Sequence, residues 1–139
     1  MRKPNWIILG PSESWETAIE HKGIWGLKEM LYPEWKAMEN GEILFFHATS
    51  PIAGVIGFGR FNTRFIQDKP LWPDEMKEKR VIYPLRFQFD IDYIIKNDKW
   101  KNDKIKAPLT IQEMRRGINI LRGSTVEFLY KEFLEKFKN

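Results

Sequence analysis

The chain has 139 residues, no cysteine, and only two histidines, His21 and His47. Disulfide frameworks, thiolate zinc sites and cysteine nucleophiles are therefore excluded, and two histidines this far apart give no metal-binding spacing, so neither metal nor cofactor is expected. No apolar run approaches the ~20 residues of a membrane-spanning helix. The N-terminal stretch has no signal-peptide apolar region, so the expectation is one domain, residues 1–139, in the cytoplasm and not in a membrane. The formal net charge is +4, distributed unevenly: residues 1–59 sum to −2, residues 60–86 to +3 and residues 95–122 to +5. A basic second half points to a polyanionic partner or to a heavily solvated surface. Charged residues at 30%, three glutamines and no cysteine lean towards a thermophilic source.

In chain order, Trp6 to Leu9 reads as a buried strand closed by Gly10-Pro11. Ser12 is a candidate N-cap for a short helix over 14–22, with Trp15, Ala18 and Ile19 inward and Gly23 as its stop. Gly23-Ile24-Trp25-Gly26 follows as a tight loop. Pro33 marks a helical turn or two within 31–39. Glu42 to Ala48 and Ala53 to Phe61 are strands joined by Thr49-Ser50-Pro51, the second carrying Gly54, Gly57 and Gly59. Residues 63–79 form a polar excursion around Pro70-Leu71-Trp72-Pro73. A strand is expected over 80–91, with Arg86, Gln88 and Asp90 alternating against Leu85, Phe87 and Phe89. Residues 92–107 read as irregular and basic. Thr110-Ile111-Gln112-Glu113 is a capping box predicting a helix to about Arg122, and Ser124 to Glu127 is a second box opening an amphipathic terminal helix. Central strands with helices at both ends predict an α+β domain, a small curled sheet or barrel with flanking helices.

Catalytic signatures are sparse. Nucleophile-elbow, phosphate-loop and dinucleotide patterns are missing, and the glycine-rich segment 54–59 lies inside a strand with no helix after it. Asp90 and Asp92 read as surface carboxylates, and His47 as a hydrogen-bonded structural histidine or an isolated polar group in a site. A binding module without catalysis fits this inventory better than an enzyme.

Six tryptophans in a chain this short exceed what a core of this size needs. Trp6 and Trp15 read as core, and Trp35 and Trp100 as packing or lid residues. Trp25, held between Gly23 and Gly26, reads as a wall against which a flat ligand could lie, and Trp72 either as a second wall or as a plug holding its loop on the body.

One ordered string carries more: Trp6 to Leu9, then Lys22-Gly23-Ile24-Trp25-Gly26, Asn40-Gly41-Glu42-Ile43-Leu44-Phe45-Phe46, Gly54-Val55-Ile56-Gly57-Phe58-Gly59, Leu71-Trp72-Pro73 and Tyr83-Pro84-Leu85-Arg86-Phe87. In order and spacing it resembles the EVE domain family and, more distantly, YTH domains, both of the PUA-like superfamily, over about residues 5–130. The resemblance implies a PUA-like fold that binds RNA or DNA and holds an extruded, often methylated, base in an aromatic pocket. It implies Trp25 as the first wall and Trp72 as the second; Pro11, Ser12, Gly26 and His47 are the candidates to surround the base, with Ser12, His47 and the backbone near Gly26 as hydrogen-bonding groups for its edge. The YTH asparagines after the first strand are replaced here by Gly10-Pro11-Ser12-Glu13, so reading of methyladenine is not implied. Arg86, Arg115 and Arg116 are the candidate phosphate ligands, Arg86 being equally placed to pair with a carboxylate. The alternative is a protein that uses the same pocket for a small planar ligand such as a nucleotide, as a binder or a modest enzyme.

Overall fold

The computed structural model describes residues 4–137. Among them, six strands form one sheet in the order β2-β5-β4-β3-β1-β6. They are β1 (Trp6–Gly10), β2 (Ile24–Leu27), β3 (Ile43–Ala48), β4 (Gly54–Ile66), β5 (Leu85–Ile94) and β6 (Ile118–Ile120). β1 and β3 pair in parallel and the other neighbours pair antiparallel. Six helices accompany them: α1 (Ser12–Glu20), α2 (Tyr32–Ala37), α3 (Pro73–Glu78), α4 (Trp100–Asp103), α5 (Ile111–Arg116) and α6 (Gly123–Phe137). The α+β class expected from the sequence is the one observed. No helix among the described residues is long and apolar enough to cross a membrane.

The sheet curls far enough that its two ends come together. β2 is at one edge and β1 is next to the other edge strand, yet a Cβ on Gly10 of β1 would stand 2.4 Å from the Trp25 ring of β2. Neighbouring residues on β3 feed opposite sides of this curl, as period-two alternation demands. Phe46 packs at 5.0 Å from Trp15 and 5.0 Å from Phe89, under α1. Phe45 meets Tyr130 of α6 at 5.4 Å, and Phe58 meets Phe133 of α6 at 5.3 Å. Four tryptophans are locked into this body by their indole N–H groups. Trp6 donates to Glu42 Oε1 (3.0 Å), Trp15 to the His47 carbonyl (2.8 Å), Trp35 to the Arg86 carbonyl (2.8 Å) and Trp100 to the Ile95 carbonyl (2.6 Å).

Several local expectations are corrected. Pro11, not Ser12, precedes α1, and its carbonyl accepts the Ser14 and Trp15 amides. Trp25 lies in edge strand β2 rather than in a loop, because Ile24 to Leu27 find partners on β5. The Thr110 capping box forms as expected, with Thr110 Oγ1 accepting from Glu113 N (3.1 Å) and Thr110 N donating to Glu113 Oε1 (2.9 Å). Its helix stops six residues earlier than the pattern suggested: Gly117 takes a left-handed conformation, φ 87°, and Ile118 to Ile120 then pair with β1. The polar excursion contains α3, and the basic stretch after β5 contains α4.

Candidate binding cavity

Between β2 and the end of β1, beside the α5–β6 junction, the surface opens into a cavity of about 220 Å³. The end of β1 (Leu9, Gly10) forms its floor, β2 one wall (Trp25, Gly26, Leu27), and the excursion before β5 contributes Trp72 and Tyr83. Pro11 and Ser14 of the α1 start, the turn carrying Met30 and Leu31, and Arg115, Arg116 and Gly117 at the α5–β6 junction complete it. No aspartate or glutamate lines it, and three cations do: Lys28, Arg115 and Arg116.

Two glycines create the space for its aromatic walls. A Cβ on Gly10 would meet Trp25 ring carbons at 2.4 and 2.5 Å, and a Cβ on Gly26 would meet Trp72 ring carbons at 2.7 and 2.8 Å. Each indole thus brings the rim of its six-membered ring directly against bare backbone, an approach only glycine permits. Trp25 stacks on Trp15 with centroids 4.0 Å apart and planes 19° apart, so one of its faces is already covered. Trp72 stands edge-on to Trp25, at 6.1 Å and 64°. Two rings sandwiching a base would lie parallel and about 7 Å apart, twice a carbon–carbon contact. The sequence expectation of opposed walls is therefore corrected to a corner, one indole meeting the other at an angle.

The bare edge of β2 adds polar capacity. The Phe89 amide donates to the Gly23 carbonyl (2.8 Å), and alternation in an antiparallel pair then turns Trp25 and Leu27 towards β5 and Gly26 away from it. The Gly26 N–H and C=O accordingly face the unpaired side of the strand.

Trp72 is held from behind by a buried polar hub. Arg86 is completely buried and places its guanidinium 4.8 Å from the Trp72 ring centroid. It donates to Glu75 Oε1 (3.1 Å), Gln67 Oε1 (2.5 Å) and the carbonyls of Tyr83 (3.1 Å) and Lys69 (2.5 Å). Glu75, also completely buried, accepts from the amides of Leu71 (2.8 Å), Trp72 (3.4 Å), Ile82 (2.8 Å) and Tyr83 (3.0 Å). One carboxylate thus ties both limbs of the 71–83 excursion to each other and to β5. Tyr83 donates its hydroxyl to Asp74, and burial together with that carboxylate pushes the phenol's pKa up.

Of the sequence-derived site residues, Trp25, Gly26, Trp72, Pro11, Arg115 and Arg116 border the cavity, and three do not. Ser12 lies two residues earlier, on the other side of α1, and Ser14 takes the lining position. The helical period carries the reason: Ser14, Trp15 and Ala18 share the buried face. His47 is buried in the sheet with Nδ1 unpartnered. Arg86 cannot reach a phosphate because the 67–83 carbonyls and Glu75 consume its donors. Arg116 is ion-paired with Glu34 of α2, whereas Arg115 is exposed and has no partner among the described residues. The lysines at 96, 99, 101, 104 and 106 do not line the cavity.

Gly10→Ala is expected to push Trp25 off Trp15. Overpacking of this kind costs about 1–3 kcal/mol. The paired-indole band in circular dichroism should collapse in the folded variant, and an unchanged band would refute the tight approach.

No protein-family model matches the chain, and no curated relative matches it. Among solved structures it is similar to ASCH from Zymomonas mobilis, at 14% identity and TM-score 0.58, covering 91% of this chain and 94% of that one. It is similar also to a hypothetical protein from Leishmania major (14% identity, TM-score 0.57, 97% of each chain). A Rhodopseudomonas palustris protein matches at 13% identity and TM-score 0.56, over 94% and 92% of the two chains. Similarity at this level of identity speaks for architecture alone. The chain shares the α+β fold of these solved structures, one curled six-stranded sheet with flanking helices.

Proposed function

We propose that this protein is an EVE-type nucleic-acid-binding module that seats one extruded base, modified bases included, in the seam cavity and catalyses nothing. The observation that carries this reading is the cavity itself: an indole corner on bare glycine backbone, with cations and no carboxylate among its lining residues. A volume of about 220 Å³ suits one ring system. It is below the roughly 300–1,000 Å³ of sites for drug-sized ligands. Stacking a base on an aromatic ring contributes about 1–3 kcal/mol. A buried methyl adds about 0.8 kcal/mol, so apolar contact alone favours a methylated base only a few-fold. Hydrogen bonds to the base edge from the Gly26 backbone supply the rest.

Phosphates flanking the base would meet Lys28 and Arg115, the mouth cations without an ion pair among the described residues. With two such contacts on a single strand, log K should fall with log salt at a slope of about −1.4. Arg115→Ala should shrink that slope by about 0.7. Arg86→Met should leave it unchanged wherever the variant stays folded.

The test is fluorescence anisotropy of short single- and double-stranded RNA and DNA, with and without methylated bases, against wild type and Trp25→Ala, each checked for folding. Base-dependent binding lost in Trp25→Ala supports the reading. Equal, weak binding to every strand, unaffected by the substitution, overturns it. The small cavity volume also favours a second reading, a binder or modest enzyme for a free planar metabolite. Tight binding of a free nucleoside with no salt dependence would establish that reading instead.

A further inference from the structure

Resting on the base-binding reading, we infer that Met30 is a ligand-contacting residue: its thioether closes over the face of the seated base that the indoles leave open. The two indoles cannot cover a base by themselves. Trp25 is 6% exposed and Trp72 2%, so each offers the cavity a rim rather than a face. Trp15 already occupies one side of Trp25, and Trp72 meets Trp25 at 64°. A planar ring held in that corner touches both indoles along narrow strips and keeps most of one face in water. Area left in water contributes nothing to binding, so that face needs apolar cover from elsewhere in the lining.

Met30 is the lining residue with such cover to give, because it is 78% exposed. The remaining apolar lining residues are buried or half-buried, apart from Pro11, which is small and rigid. A single exposed apolar side chain is ordinary on a protein surface and alone would signify nothing. What distinguishes Met30 is where its backbone is held. The turn Glu29–Leu31 follows β2 directly, and the Leu31 amide donates to the Lys28 carbonyl (2.9 Å). Leu31 reaches the α5–β6 junction, where a Cβ on Gly117 would stand 3.6 Å from Leu31 Cδ1. Three residues further on, Glu34 is ion-paired with Arg116. Met30 is thus fastened on both sides to segments that themselves line the cavity, Leu27 and Lys28 before it and Arg116 and Gly117 after it. A held backbone carrying a free side chain is what a closing contact requires. Three rotatable bonds let the thioether settle on a ring, and sulfur against an aromatic is favourable.

Abasic hexamers of DNA and RNA carrying one central base, unmodified or methylated, separate the base from the backbone, with the fully abasic hexamer as reference. In protein labelled with ¹³C at the methionine methyls, Met30→Leu assigns the Met30 signal. That signal should move upfield, under the ring current, when the tightest-binding base-bearing hexamer is added, and stay still with the abasic one. By anisotropy, Met30→Ala should weaken the same hexamer roughly three- to ten-fold, the scale of one sulfur–aromatic contact, and leave abasic binding unchanged. Met30→Leu should keep most of the affinity, and both variants should fold normally because the position is exposed. Base-dependent binding with either a motionless Met30 methyl or an affinity unchanged in Met30→Ala overturns the inference and leaves the cavity as a base site. If no base-bearing hexamer binds more tightly than the abasic one, the base-binding reading falls as well.

Discussion

Glu75→Ala should destabilise the fold by about 3–5 kcal/mol, the range for removing one partner of a buried ion pair. That is a large share of the 5–15 kcal/mol by which proteins of this kind are stable. The size follows from what the carboxylate satisfies: four backbone amides from both limbs of the 71–83 excursion, together with the Arg86 guanidinium. Without it, five donors lose an acceptor inside the protein and Arg86 is left as a buried charge. Glu75→Gln should cost nearly as much, since one amide oxygen replaces two carboxylate oxygens and the new NH₂ faces donors. Urea denaturation measures both. A loss below about 1 kcal/mol would mean the excursion is held mainly by Trp72 and its apolar contacts. The functional consequence is local. In a variant that stays folded, Trp72 loses its backing and base-dependent binding should disappear, while binding through Lys28 and Arg115 persists.

His47 sets the second large effect, through pH. Burial lowers its pKa from 6.5 to about 4, a desolvation that a backbone hydrogen bond at the same residue offsets only in part. The folded protein therefore keeps this ring neutral, while the unfolded chain protonates it below about 6.5. Between the two values the unfolded state binds more protons, so stability from this residue is full above pH 6.5 and declines as pH falls towards 4. A shift of that size amounts to about 3 kcal/mol. His47→Leu removes both the titration and the unpartnered nitrogen. It should match or exceed wild type at pH 7, and the gap should widen in its favour by about 3 kcal/mol at pH 4. Carboxylates titrate in both proteins, so the difference between their stability curves isolates the histidine. Parallel curves from pH 7 to 4 would show that the ring reaches water or a partner.

The sequence made the core more legible than the site. Ile43 to Ala48, Trp6 and Trp15 are readable because apolar periodicity and burial are the same fact seen twice. The α5 start is readable because a capping box names its own hydrogen bonds. Its early stop was less so, since Gly117 and Gly123 are both plausible ends and only the pairing of Ile118 to Ile120 with β1 chooses between them. Arg86 left phosphate and carboxylate both open for a related reason. It keeps strand phase with Gln88 and Asp90, which are exposed, but the excursion folds over its end of β5 and not over theirs. Nothing local marks Glu75 as buried, because its partners are backbone amides up to eight residues away and an arginine eleven away. Trp25 was recognisable as a wall, whereas its strand, its stack on Trp15 and its angle to Trp72 come from curling of the whole sheet. Ser14 did carry a signal: it precedes Trp15 and stands four residues before Ala18, on the face already assigned inward.

The most direct test of the central claim uses the tryptophans themselves. Six indole N–H groups give six resolvable signals in a ¹H–¹⁵N correlation spectrum, assignable by single Trp→Phe substitutions. Titrated with a short single-stranded oligonucleotide, the signals of Trp25 and Trp72 and the amides of Ser14, Gly26 and Gly117 should shift together. The indoles of Trp6, Trp35 and Trp100, each bonded inside the body, should stay still. Shifts confined to residues 96–106, with the cavity signals unmoved, would contradict the account and leave a basic surface without a base site.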